Sequence, residues 1–179
     1  MSTQMRTRTL YDYPHLEELQ RVGAKSFAKK MSIGLRIFLL LTGALDLAAG
    51  LYAAVNFDSP FVALFLCVVG TLLLIWGIFF FPIRAWMVKN TLNDPELYNE
   101  FVFSPDELAV YTKDREAHLP YTDCAMLLEA ELSLYMILPN KQGMMMDKAN
   151  LKGGSVDQLR AFLEEKCGQT TRWVGKKNL

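Results

Sequence analysis

The stretch IFLLLTGALDLAAGLYAAVNFDSPFVALFLCVVGTLLLIWGIFFFPI, Ile37 to Ile83, decides the fold. Its only charged residues are Asp46 and Asp58, and every Lys and Arg of the chain lies outside it. As helices, the apolar windows Ile37–Val55 and Phe61–Ile83 are roughly 28 Å and 34 Å long, against a hydrocarbon core of about 30 Å. Either can cross a bilayer. The cluster NFDSP between them, residues 56 to 60, is rich in turn formers and suits the tip of a hairpin, so the spans are expected to be antiparallel. Two buried helices of a soluble domain are disfavoured by the length and lack of charge of Phe61–Ile83. A secretory signal ending near Ala53 or Ala54 is disfavoured by the long charged leader and by the acid in its core.

Basic residues set the expected orientation. Arg21, Lys25, Lys29, Lys30 and Arg36 precede the first span, Arg84 and Lys89 follow the second, and the connecting loop has no Lys or Arg. Both termini are therefore expected in the cytoplasm of a multi-pass inner-membrane protein. Trp76, Phe79 to Phe81 and Trp86 fall near the inner interface, and Tyr52 and Phe57 near the outer one, where aromatic belts form. Cys67, Cys124 and Cys167 are odd in number, widely spaced and form no CxxC pair, which fits a reducing compartment. Formal net charge is zero over 179 residues, which argues against a nucleic-acid partner.

Outward from the hairpin, four segments are expected: a juxtamembrane segment (1–36), the hairpin (37–83), a cytoplasmic β-domain with a terminal helix (96–168) and a flexible tail (169–179). The first contains the alternating TRTLYDY, which suits a short strand, and HLEELQRVGAKSFAKK, where Leu16, Leu19 and Val22 recur at helical spacing. The latter reads as an amphipathic juxtamembrane helix, either lying on anionic lipid or forming a solvated start to the first span. Pro82 lies near the end of the second span, and NDPE (93–96) marks a break.

Beyond the break the period changes. Tyr98–Ser104, Glu107–Lys113, Ala117–Asp123, Ala125–Glu131, Leu134–Leu138 and Gly143–Ala149 are short apolar or aromatic runs separated by turn signals, which predicts an antiparallel meander of about six strands. In the run Met144–Met146, Met144 and Met146 share one strand face and Met145 takes the other, so at least one face is core unless the thioethers form an adaptable binding surface. Ser155 with Gln158 forms a capping box, Val156, Leu159, Phe162 and Leu163 form one apolar face, and Gly168 is the stop. Such a helix must lie on the sheet to bury that face.

This pattern resembles the YcxB-like family of bacterial membrane proteins. The likeness is carried by FVFSPDELAVYT (101–112), LPYTD (119–123), Glu129, NKQGMMMDKANL (140–151) and GGSVDQLRAFLEEK (153–166), and with the hairpin it covers about Ser32 to Gly168. The resemblance implies a membrane α+β protein: a transmembrane hairpin followed by a small antiparallel β-barrel or sheet domain, pleckstrin-homology-like, capped by the C-terminal helix. It brings no agreed biochemical activity.

Chemistry is sparse. His15 and His118 have no His or Cys neighbour at metal-ligand spacing, GGS (153–155) lacks the remaining glycines and the lysine of a phosphate loop, and no GxSxG, HExxH or Cys/His constellation occurs. No catalytic, cofactor-binding or metal-binding residue is assigned, and the chain is not expected to be an enzyme. The intramembrane polar and packing residues Asp46, Thr71, Gly43 and Gly50 form the candidate site. An aspartate at mid-span costs about 2.5–3.5 kcal/mol on insertion scales, while each Leu, Ile, Phe or Val returns about 0.3–0.6 kcal/mol. The first span is thus marginal alone and is expected to insert with help from the second. Gly43, Ala49, Gly50 and Ala53 share the Asp46 face and allow close helix approach, and Thr71 near mid-depth of the second span is placed to hydrogen-bond a protonated Asp46. Asp46 then reads as a structural acid, as an assembly determinant for a membrane partner, or as a proton or ion relay.

The functional expectation is a membrane-anchored interaction or regulatory module. Its partners are the lipid bilayer and a protein segment added at an open strand edge or taken in a groove beside the final helix, or a second copy of the chain. The alternative is an accessory subunit of a membrane transporter or enzyme that assembles through the Asp46 face. No small-molecule substrate is indicated. From Glu96 onward acids outnumber bases, which opposes recognition of anionic lipid headgroups unless the bases cluster.

Overall fold

The computed structural model describes residues 4–27, 29–56, 60–92 and 97–175. The tip of the expected hairpin loop (57–59), the NDPE break (93–96) and the last four residues lie outside the described residues. The chain forms an α+β structure that divides into two compact units, one built from residues 1–22 and 88–179 and the other from residues 23–87. The hairpin unit is therefore an insertion into the β-domain.

The inserted unit holds the whole of two helices, α2 (Lys29–Asn56) and α3 (Pro60–Ile78). Both are long and apolar enough to cross a membrane. Pro60 occupies the first position of α3, where its missing N–H costs nothing. Pro82 cannot donate to the Ile78 carbonyl, so the helix is interrupted at Phe79 and resumes as α4 (Phe80–Thr91), with Phe79 N–H bonded to Ile75 O and Ile83 N–H to Phe79 O, both at 2.9 Å. Large apolar side chains cover the outside of the pair: Leu45 is 69% exposed, Leu51 64%, Phe61 77% and Leu64 64%. Core helices of a soluble domain bury such residues, whereas a lipid-facing pair presents them.

The other unit contains two four-stranded sheets. The first runs in the order β1 (Met5–Leu10), β2 (Tyr98–Phe103), β3 (Glu107–Tyr111), β4 (Glu116–Pro120), with every neighbour antiparallel. The second has the order β7 (Gly143–Asp147), β6 (Ser133–Ile137), β5 (Met126–Glu129), β8 (Arg172–Trp173), and its short β8 lies parallel to β5. The sheets do not close into a barrel. After Pro120 the chain leaves the ladder in a 3-10 turn, Tyr121–Asp123, which ends the third predicted run three residues early.

Helix α5 (Val156–Cys167) packs beside that turn, with the Phe162 ring edge-on to Tyr121 at 5.5 Å. Its start is the capping box read from the sequence: Ser155 Oγ accepts from Gln158 N–H at 3.2 Å and Gln158 Oε1 accepts from Ser155 N–H at 2.8 Å. Its end is Gly168 in the left-handed conformation, φ 61°. Leu159 and Leu163 enter a core with Phe101, Phe103, Leu108 and Val110 of the first sheet and Leu127, Leu134, Met136, Met144 and Met146 of the second. The alternate residues Leu128, Tyr135, Ile137 and Met145 form a second core with Val22 and Val174. Both faces of the methionine strand are thus core.

Three expectations are corrected. The segment from Tyr13 to Ser26 is a helix, α1, but it is neither a lipid-surface anchor nor a solvated lead-in, because its Leu16 and Val22 are buried and Val22 packs on the second sheet. The short strand expected in TRTLYDY forms, as β1, but it is the edge strand of the first sheet and not part of a separate juxtamembrane segment. The tail from residue 169 is not free up to Gly175, since Arg172 and Trp173 pair with β5 and Val174 N–H bonds Glu129 O at 2.8 Å.

Candidate functional site

The hairpin interface is built by glycines. A Cβ placed on Gly43 would lie 2.8 Å from Gly70 O, and one on Gly70 would lie 2.8 Å from both Gly43 O and Leu47 N. Gly50 meets Ala63 O and the Cys67 backbone and sulfur in the same way, and Gly77 meets the Leu40 side chain. Gly43 and Gly50 repeat at seven residues, as do Gly70 and Gly77, so each pair returns to one helix face and lets the backbones touch.

The remaining predicted members fall elsewhere. Leu47 occupies the centre of the seam between Gly43 and Gly50. Asp46 is one helical step away and half-buried on its flank, Ala53 is buried, and Ala49 is exposed. Thr71 is also exposed, because one residue turns the helix by about 100° away from Gly70. Its hydroxyl donates to Cys67 O of its own helix at 2.7 Å, so the expected Asp46–Thr71 hydrogen bond is not formed. Among the described residues Asp46 has no hydrogen bond or ion pair. The structure brings Gly43 and Gly50 together with α3 and leaves Asp46 as an unpaired acid beside them.

In the β-domain the chemistry-bearing side chains are tied into the frame. Glu129 on β5, with a side chain only 10% exposed, accepts from Arg160 Nε at 2.7 Å, Arg160 Nη2 at 2.9 Å and Lys148 Nζ at 3.3 Å. Burial pushes its carboxyl up, but the two cations outweigh burial and hold it below the usual range. The fork clamps α5 to β5. Glu18 of α1 accepts from the Tyr135 hydroxyl at 2.9 Å and from Leu132 N–H at 2.7 Å, which fixes α1 to the second sheet. Burial, reinforced by Glu18, pushes the Tyr135 phenol up. These are structural bonds between elements far apart in sequence, which spacing rules do not reveal.

Two features remain exposed or reactive. Among the described residues strand β4 pairs only with β3 and is exposed along most of its length, which makes it a free sheet edge there. His118 on it contacts Glu107 at 2.7 Å and Glu116 at 3.0 Å, and the Glu107 hydrogen bond, followed by its charge, pushes the imidazole up. Cys124 and Cys167, 43 positions apart in a sequence without a CxxC pair, share the first core as free thiols. The interaction of the two thiols, ahead of burial, holds Cys124 down and pushes Cys167 up.

Comparison of the sequence with known protein families and with curated proteins finds no match.

Proposed function

We propose that the chain is a membrane-anchored, non-enzymatic interaction or regulatory module, with a pleckstrin-homology-like domain held at the cytoplasmic face of the inner membrane by a two-span hairpin. The observation that carries this reading is the β1–β2 ladder. Met5 to Leu10 pair with Phe103 to Tyr98, so the chain before the hairpin and the chain after it belong to one sheet. A folded domain lies on one side of a bilayer. If either helix crosses, the other must bring the chain back. The excess of Lys and Arg at the domain end of the hairpin favours the cytoplasmic side. Two sheets with a helix beside the turn where they part also suit the pleckstrin-homology-like reading. The free β4 edge supplies main-chain donors and acceptors for an added strand from a partner.

Topology mapping tests this. In sealed cells, a membrane-impermeant maleimide is expected to label Asp58→Cys and to reach Asp114→Cys only after lysis, each against a background with the native cysteines replaced by Ser. Labelling of Asp114→Cys in intact cells, or a purified chain that stays monodisperse without detergent, refutes the reading.

A second reading has its own observation. The unpaired Asp46 carboxylate, half-buried beside a close-packed seam, is an incomplete polar contact in an apolar medium. An accessory subunit docking a membrane partner through this face would complete it. Crosslinking from Ala49→Cys beside Asp46, compared with crosslinking from β4, separates the two readings by which site captures a partner.

A further inference from the structure

Arg6 and Arg8 sit on the same outward face of β1 but in opposite surroundings. Arg8 stands across from Glu100 in the ladder and its guanidinium lies over the Tyr98 ring at 3.6 Å. Arg6 has Val102 on one side and, on the other, Lys152, joined to it by an isolated antiparallel bridge. Arg6 N–H donates to Lys152 O at 3.0 Å and Lys152 N–H to Arg6 O at 2.8 Å. The backbones of two exposed basic residues are thereby held opposite each other, and among the described residues neither side chain has an acidic partner. Directly opposed like charges destabilise a strand pair unless an anion lies between them.

The place is also shaped. Gln4, Arg6, Val102, Lys152 and Gly153 line a cavity of about 290 Å³, at the lower end of ligand-pocket size and suited to a small group. One wall depends on Gly153, whose φ is +84° and whose Cβ, if present, would lie 2.6 Å from Gln4 O. The capping box already takes the amides of Ser155 and Gln158, so the two cations make the site and the start of α5 does not.

We propose that this cavity binds a phosphate group. A guanidinium fork grips two oxygens of a tetrahedral anion and the ammonium adds a point charge on a third, an arrangement that a planar carboxylate uses less fully. The phosphate is carried either by a lipid headgroup or by a soluble phosphate ester. The bases that sequence scatters between the N-terminal segment and the loop after β7 meet here, which meets the clustering condition for headgroup recognition. The soluble-ester source does not depend on the hairpin crossing a bilayer.

The test uses the full chain in zwitterionic detergent, titrated with glycerol 3-phosphate and followed by phosphorus NMR linewidth and by thermal shift. Saturable binding is expected, weakened about tenfold or more in Arg6→Gln and in Lys152→Gln and unchanged in Lys141→Gln. Both bridge hydrogen bonds are main-chain, so the variants keep β1 in place, and amide exchange of β1 verifies it. Repeating the titration in phosphatidylcholine nanodiscs, with and without phosphatidic acid, assigns the source. Competition by phosphatidic acid identifies a headgroup site, and indifference identifies a soluble ester. Non-saturable binding, an equal effect of acetate at matched ionic strength, or undiminished binding in both Gln variants overturns the proposal.

Discussion

The attachment of β1 to β2 is the joint on which the proposed one-sided topology rests, and two threonines make it testable. Thr7 and Thr9, 1% and 0% exposed, lie against β7 at the corner between the sheets. Thr7 Oγ1 donates to Asp147 O at 2.5 Å, and Asp147 N–H donates to Thr9 Oγ1 at 2.8 Å. Replacing both by Val keeps volume and β-branching but orphans a buried carbonyl and a buried amide, at about 1–3 kcal/mol each. The two sites share a residue and do not add independently, so the double variant is expected to lose about 2–5 kcal/mol. That is a large part of the roughly 5–15 kcal/mol of an ordinary domain. Thr→Ser at both positions keeps the hydroxyls and loses only a methyl each, about 0.8 kcal/mol per group. Hydrogen exchange of the full chain in detergent is the assay, with peptides from β1, β2 and β7 as the readout and peptides from α3 as the internal reference. The Val variants should exchange faster in the strands and unchanged in α3. Equal behaviour of the Val and Ser variants would refute the role given to these hydroxyls.

Arg160→Ala leaves Glu129 with Lys148 alone and should destabilise the β-domain by about 2–3 kcal/mol, somewhat below the cost of orphaning a fully buried charge. Because the Glu129 carboxyl is held below its usual 4.5, its contribution is present above that value and lost as pH falls through the lower folded-state value. The acid limb of wild-type stability should therefore flatten in Arg160→Ala, as read by denaturant titrations across acidic pH. His118 has the opposite sign: its raised value makes the β3–β4 contribution complete below pH 6.5 and lost as pH rises through the folded-state value. Exchange at β4, corrected for intrinsic rate, should accelerate with pH in wild type and lose that dependence in His118→Gln. In the hairpin, Gly70→Leu meets backbone on α2 and should cost about 1–3 kcal/mol of helix pairing, whereas the exposed neighbouring Thr71→Leu should stay within about 0.5 kcal/mol. Energy transfer between labels on the two helices measures both.

What the sequence disclosed was local. Helix length, the Ser155–Gln158 box, Gly168 and the alternation from Tyr98 to Asp147 are set by neighbours within a few positions, and the structure places elements there with small shifts at their ends. What it withheld was pairing at a distance. Nothing local tells Arg6 to meet Lys152, Cys124 to meet Cys167, or Arg172 to lie beside Leu128. The sequence shows the apolar face of Leu16, Leu19 and Val22 but not the second sheet, against which Val22 and Leu19 pack. In the candidate site, seven-residue glycine spacing was readable, but the rotation that puts Leu47 rather than Asp46 at the centre depends on how α3 docks. Thr71 failed for the same reason, and also because its hydroxyl has a carbonyl four residues back within reach.

An insertion between two adjacent strands would ordinarily burden folding, since Leu10 must find Tyr98 across the whole intervening chain. An antiparallel helical pair removes most of that burden. Once α2 and α3 close along their glycine seam, the hairpin returns the chain to the end from which it left, and the effective loop between β1 and β2 shrinks to the flanking segments 11–28 and 79–97, which hold α1 and α4. The seam thus acts on the domain as well as on the hairpin. A seam opened by Gly70→Leu lengthens the loop that β1 must close, and slower pairing of β1 should follow with no residue of the sheet altered. Conversely, a hairpin that pairs before the β-domain is complete leaves β1 and α1 waiting with Leu16, Val22, Thr7 and Thr9 uncovered until β2 to β7 form. Pulsed hydrogen exchange during refolding into detergent distinguishes these orders: α3 should protect before β1, and β1 should protect together with β7. Protection of β1 ahead of α3 would show that the seam does not set the order.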